Sequence, residues 1–164
     1  MAERRVAVVG LGNLLMGDDG VGVEVIRRLE GERLGAGVKL IDGGTAVHET
    51  VHETEGYATV VIIDAVHGGG EPGTVYRMTL EETRSRARKD ALPVSLHQLS
   101  ALSGLALGEI AGWRPEKVVI IGVEPKDVGL RLGLSPDIEQ RMPAIMDVVR
   151  REIEPGRRSL EEST

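Results

Sequence analysis

The sequence predicts a three-layer α/β domain on a doubly wound, mostly parallel β-sheet of about five strands. Four short apolar runs rich in β-branched residues are typical of strands covered on both faces. They lie at 6–9, 38–41, 60–63 and 118–121. Helical patterns alternate with these runs, which favours a parallel sheet with right-handed crossovers. We expect one domain over residues 1–154 and a flexible tail at 155–164.

The first two helices are predicted between the first three strands. An apolar stripe over residues 21–29 indicates the first helix. Asp18 and Asp19 precede this stripe, and acidic residues suit a helix N-terminus, so one of the pair is expected to cap the helix. A second, shorter helix is predicted at 45–56.

Two further helices and an edge strand complete the prediction. A third helix is expected at 96–110, which is rich in leucine and alanine. The clearest helix lies at 135–154, where Ser135 is a favourable cap and Pro136 suits the first helical position. The alternating stretch at 73–79 follows a glycine-rich loop and predicts an extra edge strand, either parallel or antiparallel.

Composition excludes several functional classes. The chain has no cysteine and 4 histidines, so a metal would be bound by carboxylates and imidazoles, and a cysteine nucleophile is excluded. The formal net charge is −6 and the basic residues are mostly scattered, which argues against nucleic-acid binding. No apolar run is long enough to cross a bilayer, and no secretory signal is recognisable, so we expect a cytoplasmic protein with no membrane partner.

The loop after the first strand, GLGNLLMGDDGVG, crowds glycines and acidic residues together. Gly10 and Gly12 supply the start of a dinucleotide-binding fingerprint, but the position of its third glycine is Leu15. Asp18 and Asp19 also place negative charge where a pyrophosphate would bind. We therefore favour a tight turn that delivers an aspartate to a cleft.

Three separated side chains are expected at one edge of the sheet. Asp19 follows the first strand, Asp64 ends the third, and His97 opens a predicted helix. A charge at Asp64, after four apolar residues, requires a partner or a role. Two carboxylates and one imidazole suit Ni²⁺, Zn²⁺ or a similar divalent ion, with open positions left for water or a partner's ligands.

The ordered stretches GLGNLLMGDDGVG, IDGGTA, IIDAV, PGTVYRM, SLHQLS and IGVEP resemble the hydrogenase maturation endopeptidases. The resemblance runs over about residues 6–149, nearly the whole chain. It implies a doubly wound α/β fold and a cytoplasmic enzyme. It also implies that this enzyme removes a C-terminal extension from the nickel-loaded large-subunit precursor of nickel-iron hydrogenase.

The resemblance also assigns site residues. It implies that Asp19, Asp64 and His97 are both the catalytic and the metal-contacting residues. Nickel would then be supplied by the substrate precursor and be absent from the free enzyme. Asp42 lies in the stretch that resembles the family's DGG sequence, so it either lines the same cleft or forms a turn through its own side chain.

The sequence leaves two alternatives open. The sequence HETVH places His48 and His52 one helical turn apart with Glu49 between them, which matches the HExxH signature of zinc peptidases. The predicted helix is short and lies between two strands of an α/β sheet, so a solvated helical face is the favoured interpretation. The second alternative is a non-catalytic nickel carrier that uses Asp19, Asp64 and His97 as ligands.

Overall fold

The computed structural model describes residues 4–88 and 112–154, together with Leu105 and Glu109. In this part of the chain five strands form one sheet. They are β1 (Val6–Leu11), β2 (Val38–Gly44), β3 (Thr59–Ala65), β4 (Val75–Thr79) and β5 (Lys117–Val123). Their order is β2-β1-β3-β5-β4. All neighbouring pairs are parallel except β4 and β5, so β4 is the antiparallel edge strand and the predicted fold class is confirmed.

The helices follow the predicted order with one addition. A 3₁₀ turn (Gly17–Gly20) leads into α1 (Val21–Leu29), and the later helices are α2 (Val47–His52), α3 (Leu80–Arg88) and α4 (Pro136–Ile153). The sequence pattern did not predict α3. The helix predicted at 96–110 lies outside the described residues except for Leu105 and Glu109, which are both helical, and the predicted tail at 155–164 lies outside them as well.

The core lies on both faces of the sheet, as a three-layer arrangement requires. On β1, Val6 and Val8 pack in one cluster with the apolar side chains of α1 and α4. Ala7 and Val9 belong to the other cluster, which includes apolar residues of α2. Alternate residues of a strand point to opposite faces, so β1 is apolar throughout because both of its faces are covered.

The register brings the carboxyl ends of the parallel strands to one edge. Gly10 of β1 pairs with Asp42 of β2 on one side and with Ile63 of β3 on the other. Asp64, the next residue of β3, pairs with Gly122 of β5. The loops that follow β1, β2, β3 and β5 therefore leave the sheet at this edge, where ligands of open α/β sheets bind.

Acid stability is expected to depend on Glu152, which joins α4 to two strands. Its carboxylate accepts hydrogen bonds from Arg77 of β4 and, at 3.3 Å, from Lys117 of β5. Burial alone raises the pKa of Glu152, but hydrogen bonds and charge from these two cations outweigh it, so the pKa lies below its ordinary 4.5. This stabilisation is therefore present above the ordinary pKa and is lost as the pH falls through the lowered one.

Glu152→Gln should lower the free energy of unfolding by about 1 kcal/mol at neutral pH and by less near the acid limit of folding. Urea denaturation of both proteins across this pH range measures the difference. Glu116→Gln, at an exposed acid before β5, is the matched control and should have little effect. An equal loss at every pH for Glu152→Gln would contradict the ion-pair assignment.

Candidate functional site

Asp64 is fully buried at the carboxyl end of β3. Its Oδ1 accepts a hydrogen bond from the Ala65 amide at 2.9 Å. A buried carboxylate costs free energy unless hydrogen bonds or a cation compensate it. This placement agrees with the expectation that a charge after four apolar residues has a partner or a role.

Asp19 lies in the 3₁₀ turn after β1 and is half-buried. Its Oδ2 accepts a hydrogen bond from the Asn13 amide at 2.9 Å, and Asn13 Oδ1 accepts one from the Leu15 amide at 3.0 Å. Within the described residues no hydrogen bond reaches Asp19 Oδ1. One carboxylate oxygen of Asp19 is therefore held by the loop, which orients the side chain.

Glycine in the loop after β1 allows the backbone of the turn to pack closely against itself. Gly12 has φ +130°, and a Cβ placed on it would lie 1.9 Å from the Asp19 carbonyl oxygen. Only glycine permits this approach. The space that a dinucleotide fingerprint would give to pyrophosphate is thus filled by the backbone of the turn, which favours the tight-turn interpretation of the sequence.

Asp19 lies after β1 and Asp64 lies at the end of β3, and these two strands are neighbours in the sheet. The 3₁₀ turn and α1 lie close to β3, because a Cβ on Gly22 of α1 would be 2.3 Å from the Ile63 carbonyl oxygen. The structure therefore brings together the elements that carry these two aspartates. His97, the third predicted residue, lies outside the described residues.

Asp18 does not have the predicted role. The expectation that Asp18 or Asp19 caps α1 is wrong, because the N-cap residue is Gly20 and no side chain caps this helix. Asp18 is fully buried and accepts four hydrogen bonds at 2.7–2.9 Å. The donors are the amides of Lys126, Asp127 and Ser135 and the Ser135 hydroxyl. Contacts this distant in sequence outweigh the local preference for a helix cap.

Asp42 is exposed near the end of β2 and lines a small cleft. The cleft has a volume of about 230 Å³, and its walls include Gly12, Asn13 and Thr45. Because Asn13 also holds Asp19 through its amide, this cleft adjoins the loop that positions Asp19. The structure thus places Asp42 on the wall of a cleft whose lining residues, among those described, do not include Asp19 or Asp64, so a cleft shared by the three aspartates stays a prediction.

Glu124 is a buried acid at this edge that the sequence interpretation did not assign. It follows β5 directly and accepts hydrogen bonds from the Gly68 amide at 2.6 Å and the Tyr76 hydroxyl at 3.0 Å. Burial raises the pKa of Tyr76, and Glu124 adds to this shift against the lowering effect of the Gly70 amide. Glu124 thereby fixes the loop that follows Asp64. The sequence feature that could have revealed Glu124 is the one that revealed Asp64, namely an acidic residue at the end of an apolar strand.

The HETVH sequence lies in α2, a short helix with one buried and one exposed face. Residues His48, Glu49 and His52 all lie on the surface of α2, which has only 6 residues. In the described portion no three histidines or acids are grouped so that they could hold a metal ion. The favoured interpretation of a solvated helical face is confirmed by this exposure.

The fold of this chain matches the folds of solved endopeptidases. The hydrogenase-maturating endopeptidase HybD from Escherichia coli superposes with a TM-score of 0.78 at 29% identity, covering 88% of this chain and 89% of that one. The solution structure of an endopeptidase from Escherichia coli gives 0.80 at 29% identity, with 92% and 93% covered. The class is therefore that of the α/β maturation endopeptidases.

The chain belongs to the hydrogenase maturation protease family, whose HycI model matches residues 23–152. It is 31% identical to the hydrogenase 2 maturation protease of Escherichia coli over 148 residues, 88% of each chain. It is also 34% identical to the hydrogenase expression/formation protein HupD of Rhodobacter capsulatus, covering 76% of this chain. That match spans 59% of the relative's length, and the match to HupD of Thiocapsa roseopersicina spans 66%.

Among the described helices, none combines the length and the apolar character that a membrane crossing needs.

Proposed function

We propose that this protein is an endopeptidase that removes a C-terminal extension from the nickel-loaded precursor of a nickel-iron hydrogenase large subunit. The observation that carries the proposal is family membership, with a match to a hydrogenase maturation protease along 88% of both chains. The placement of Asp19 and Asp64 at one edge of the sheet supports it, because a protease of this kind needs polar groups that converge on the substrate.

In this proposal the nickel belongs to the substrate, and Asp19, Asp64 and His97 bind it. Asp19 suits this role because the Asn13 amide holds one of its oxygens and thereby orients the carboxylate. Asp64 suits it because a buried carboxylate gains more from a cation than an exposed one does. An imidazole from His97 completes a nitrogen and oxygen donor set that Ni²⁺ accepts. Correct nickel loading thereby becomes the condition for cleavage.

The reaction is hydrolysis of one peptide bond. Water adds to the scissile carbonyl carbon, the C–N bond breaks, and the products are a new C-terminal carboxylate and a released peptide with a free amine. Nickel held against the site polarises the carbonyl or activates the water, which is worth several kcal/mol of transition-state stabilisation, on the order of that seen in other metal-assisted hydrolyses. The role of the enzyme is to position the nickel and the scissile bond of the precursor relative to each other.

The test is to incubate the protein with large-subunit precursors with and without nickel and to record intact masses. We expect a shortened product from the nickel-loaded precursor alone. Cleavage that is independent of nickel would contradict the gating role and leave the peptidase function standing. An intact precursor that gains or loses nickel would instead support the nickel carrier.

A further inference from the structure

Large apolar side chains are exposed at one place in the part of the chain that the structure describes. Leu15, Leu130 and Leu132 have exposed fractions of 56%, 86% and 78%. They are neighbours in space, because the Arg131 amide donates to the Leu15 carbonyl oxygen at 3.0 Å. We call these three residues the leucine patch. A cluster of exposed leucines marks an interaction surface more often than single exposed leucines do.

The backbone under the leucine patch is firmly held. The Gly17 amide donates to the Arg131 carbonyl oxygen and the Asp18 amide to that of Asp127, both at 2.8 Å. The Asp18 carboxylate adds its hydrogen bonds to the Lys126, Asp127 and Ser135 amides. The leucines are therefore presented on a preorganised surface, which lowers the entropy cost of binding a partner.

The leucine patch is continuous with the candidate site. Leu15 donates its amide hydrogen to Asn13 Oδ1, and Asn13 donates its own amide hydrogen to Asp19 Oδ2. Two hydrogen bonds thus connect one leucine of the patch to a proposed nickel-contacting carboxylate. Leu15 therefore belongs to the loop that holds Asp19, and a folded protein substrate that brings its scissile bond to Asp19 comes near this part of the surface.

We propose that the leucine patch is the docking surface for the hydrogenase large-subunit precursor and binds an apolar segment of it beside the scissile bond. This inference rests on the proposed function and adds to it how the substrate is held. The proposed nickel ligands contact the metal of the precursor. The leucine patch contacts an apolar segment of the precursor, and this contact area is independent of the metal. Substrate affinity and metal dependence are then separable properties of the enzyme.

The experiment compares wild type with the double variant Leu130→Glu, Leu132→Glu on nickel-loaded precursor. We expect precursor affinity, measured by calorimetric titration, and kcat/KM to fall by at least about tenfold, with kcat changed by less than about twofold. The control is Ala36→Glu, Ala144→Glu, which adds the same charge at two exposed positions away from the patch and should behave as wild type. Leu130→Met, Leu132→Met should retain affinity, because it keeps the apolar area.

The outcomes separate this inference from the proposed function. Unchanged precursor affinity and KM in the glutamate variant would overturn docking at the leucine patch. If the precursor binds wild type but is not cleaved by it, and binds the glutamate variant more weakly, docking at the leucine patch is supported and the peptidase function is contradicted. If wild type sediments as a dimer and the glutamate variant as a monomer with normal cleavage, the patch binds a second copy and the inference is overturned.

Discussion

Asp64→Asn is expected to lower kcat/KM for the nickel-loaded precursor by at least about a thousandfold, the factor that several kcal/mol of lost metal-assisted stabilisation gives. Asparagine keeps the shape of the side chain and removes its charge. The buried end of β3 then offers no anionic ligand to nickel, although a neutral amide is easier to bury than a carboxylate. Thermal denaturation should therefore show a folded protein, and intact-mass kinetics should show an uncut precursor.

Two companion sets of variants make this result specific. Asp19→Asn and His97→Ala should lower kcat/KM by similar factors, because the proposal has Asp19 and His97 bind the same nickel ion as Asp64. Glu49→Gln is the matched control, since it makes the same chemical change to an exposed acid of α2. Near-wild-type cleavage by Asp64→Asn together with loss of activity in Glu49→Gln would contradict the proposed site and favour the HExxH alternative.

The sheet was predictable because its strands are marked by composition alone. A parallel strand covered on both faces carries an unbroken apolar run, as β1 does throughout and β3 and β5 do over their central residues, and few other elements of this length look the same. Asp64 was found for the same reason, since a carboxylate that interrupts such a strand is conspicuous. The order of the strands was not predicted from the sequence, and it is the structure that places the ends of β1 and β3 side by side.

α3 was missed because it has no apolar stripe, although a local signal for it exists. The Glu82 amide donates to Thr79 Oγ1 and the Thr79 amide to Glu82 Oε2, which is a reciprocal capping box. A search for threonine followed three residues later by glutamate would have located this N-terminus. Stabilisation by a cap is independent of the apolar periodicity on which the other helices were predicted.

The contacts of Asp18 could not be predicted, because its partners are more than 100 residues away in sequence. Adjacent aspartates before a helix are locally ambiguous, and the sequence does not show which of them turns inward. The leucine patch depends on the same tertiary contact, since Leu130 and Leu132 lie in the loop that Asp18 anchors. The exposure of these leucines results from the folded conformation of the loop and cannot be recognised from the amino-acid sequence.

Asp18→Ala is expected to lower the free energy of unfolding by about 4 kcal/mol, because each donor left without a partner in a buried or half-buried place costs on the order of 1–3 kcal/mol. The substitution leaves the amides of Lys126, Asp127 and Ser135 without their acceptor. It also releases the Ser135 hydroxyl, which caps α4 by accepting from the Ile138 amide at 3.5 Å. Urea denaturation measures the loss.

The control for Asp18→Ala is Asp127→Ala, which removes an exposed aspartate that accepts one hydrogen bond, from the Gly129 amide. Its cost should stay below about 1 kcal/mol, because water replaces the lost acceptor at an exposed position. The loss of unfolding free energy for Asp18→Asn should fall between these two values. The asparagine side chain keeps one acceptor oxygen, but its NH₂ group faces a donor that needs an acceptor. A loss below about 1 kcal/mol for Asp18→Ala would mean that water enters and satisfies the freed amides. The loop from Lys126 to Ser135 would then be held by its backbone contacts to residues 15–18, and Asp18 would contribute little to positioning Asp19.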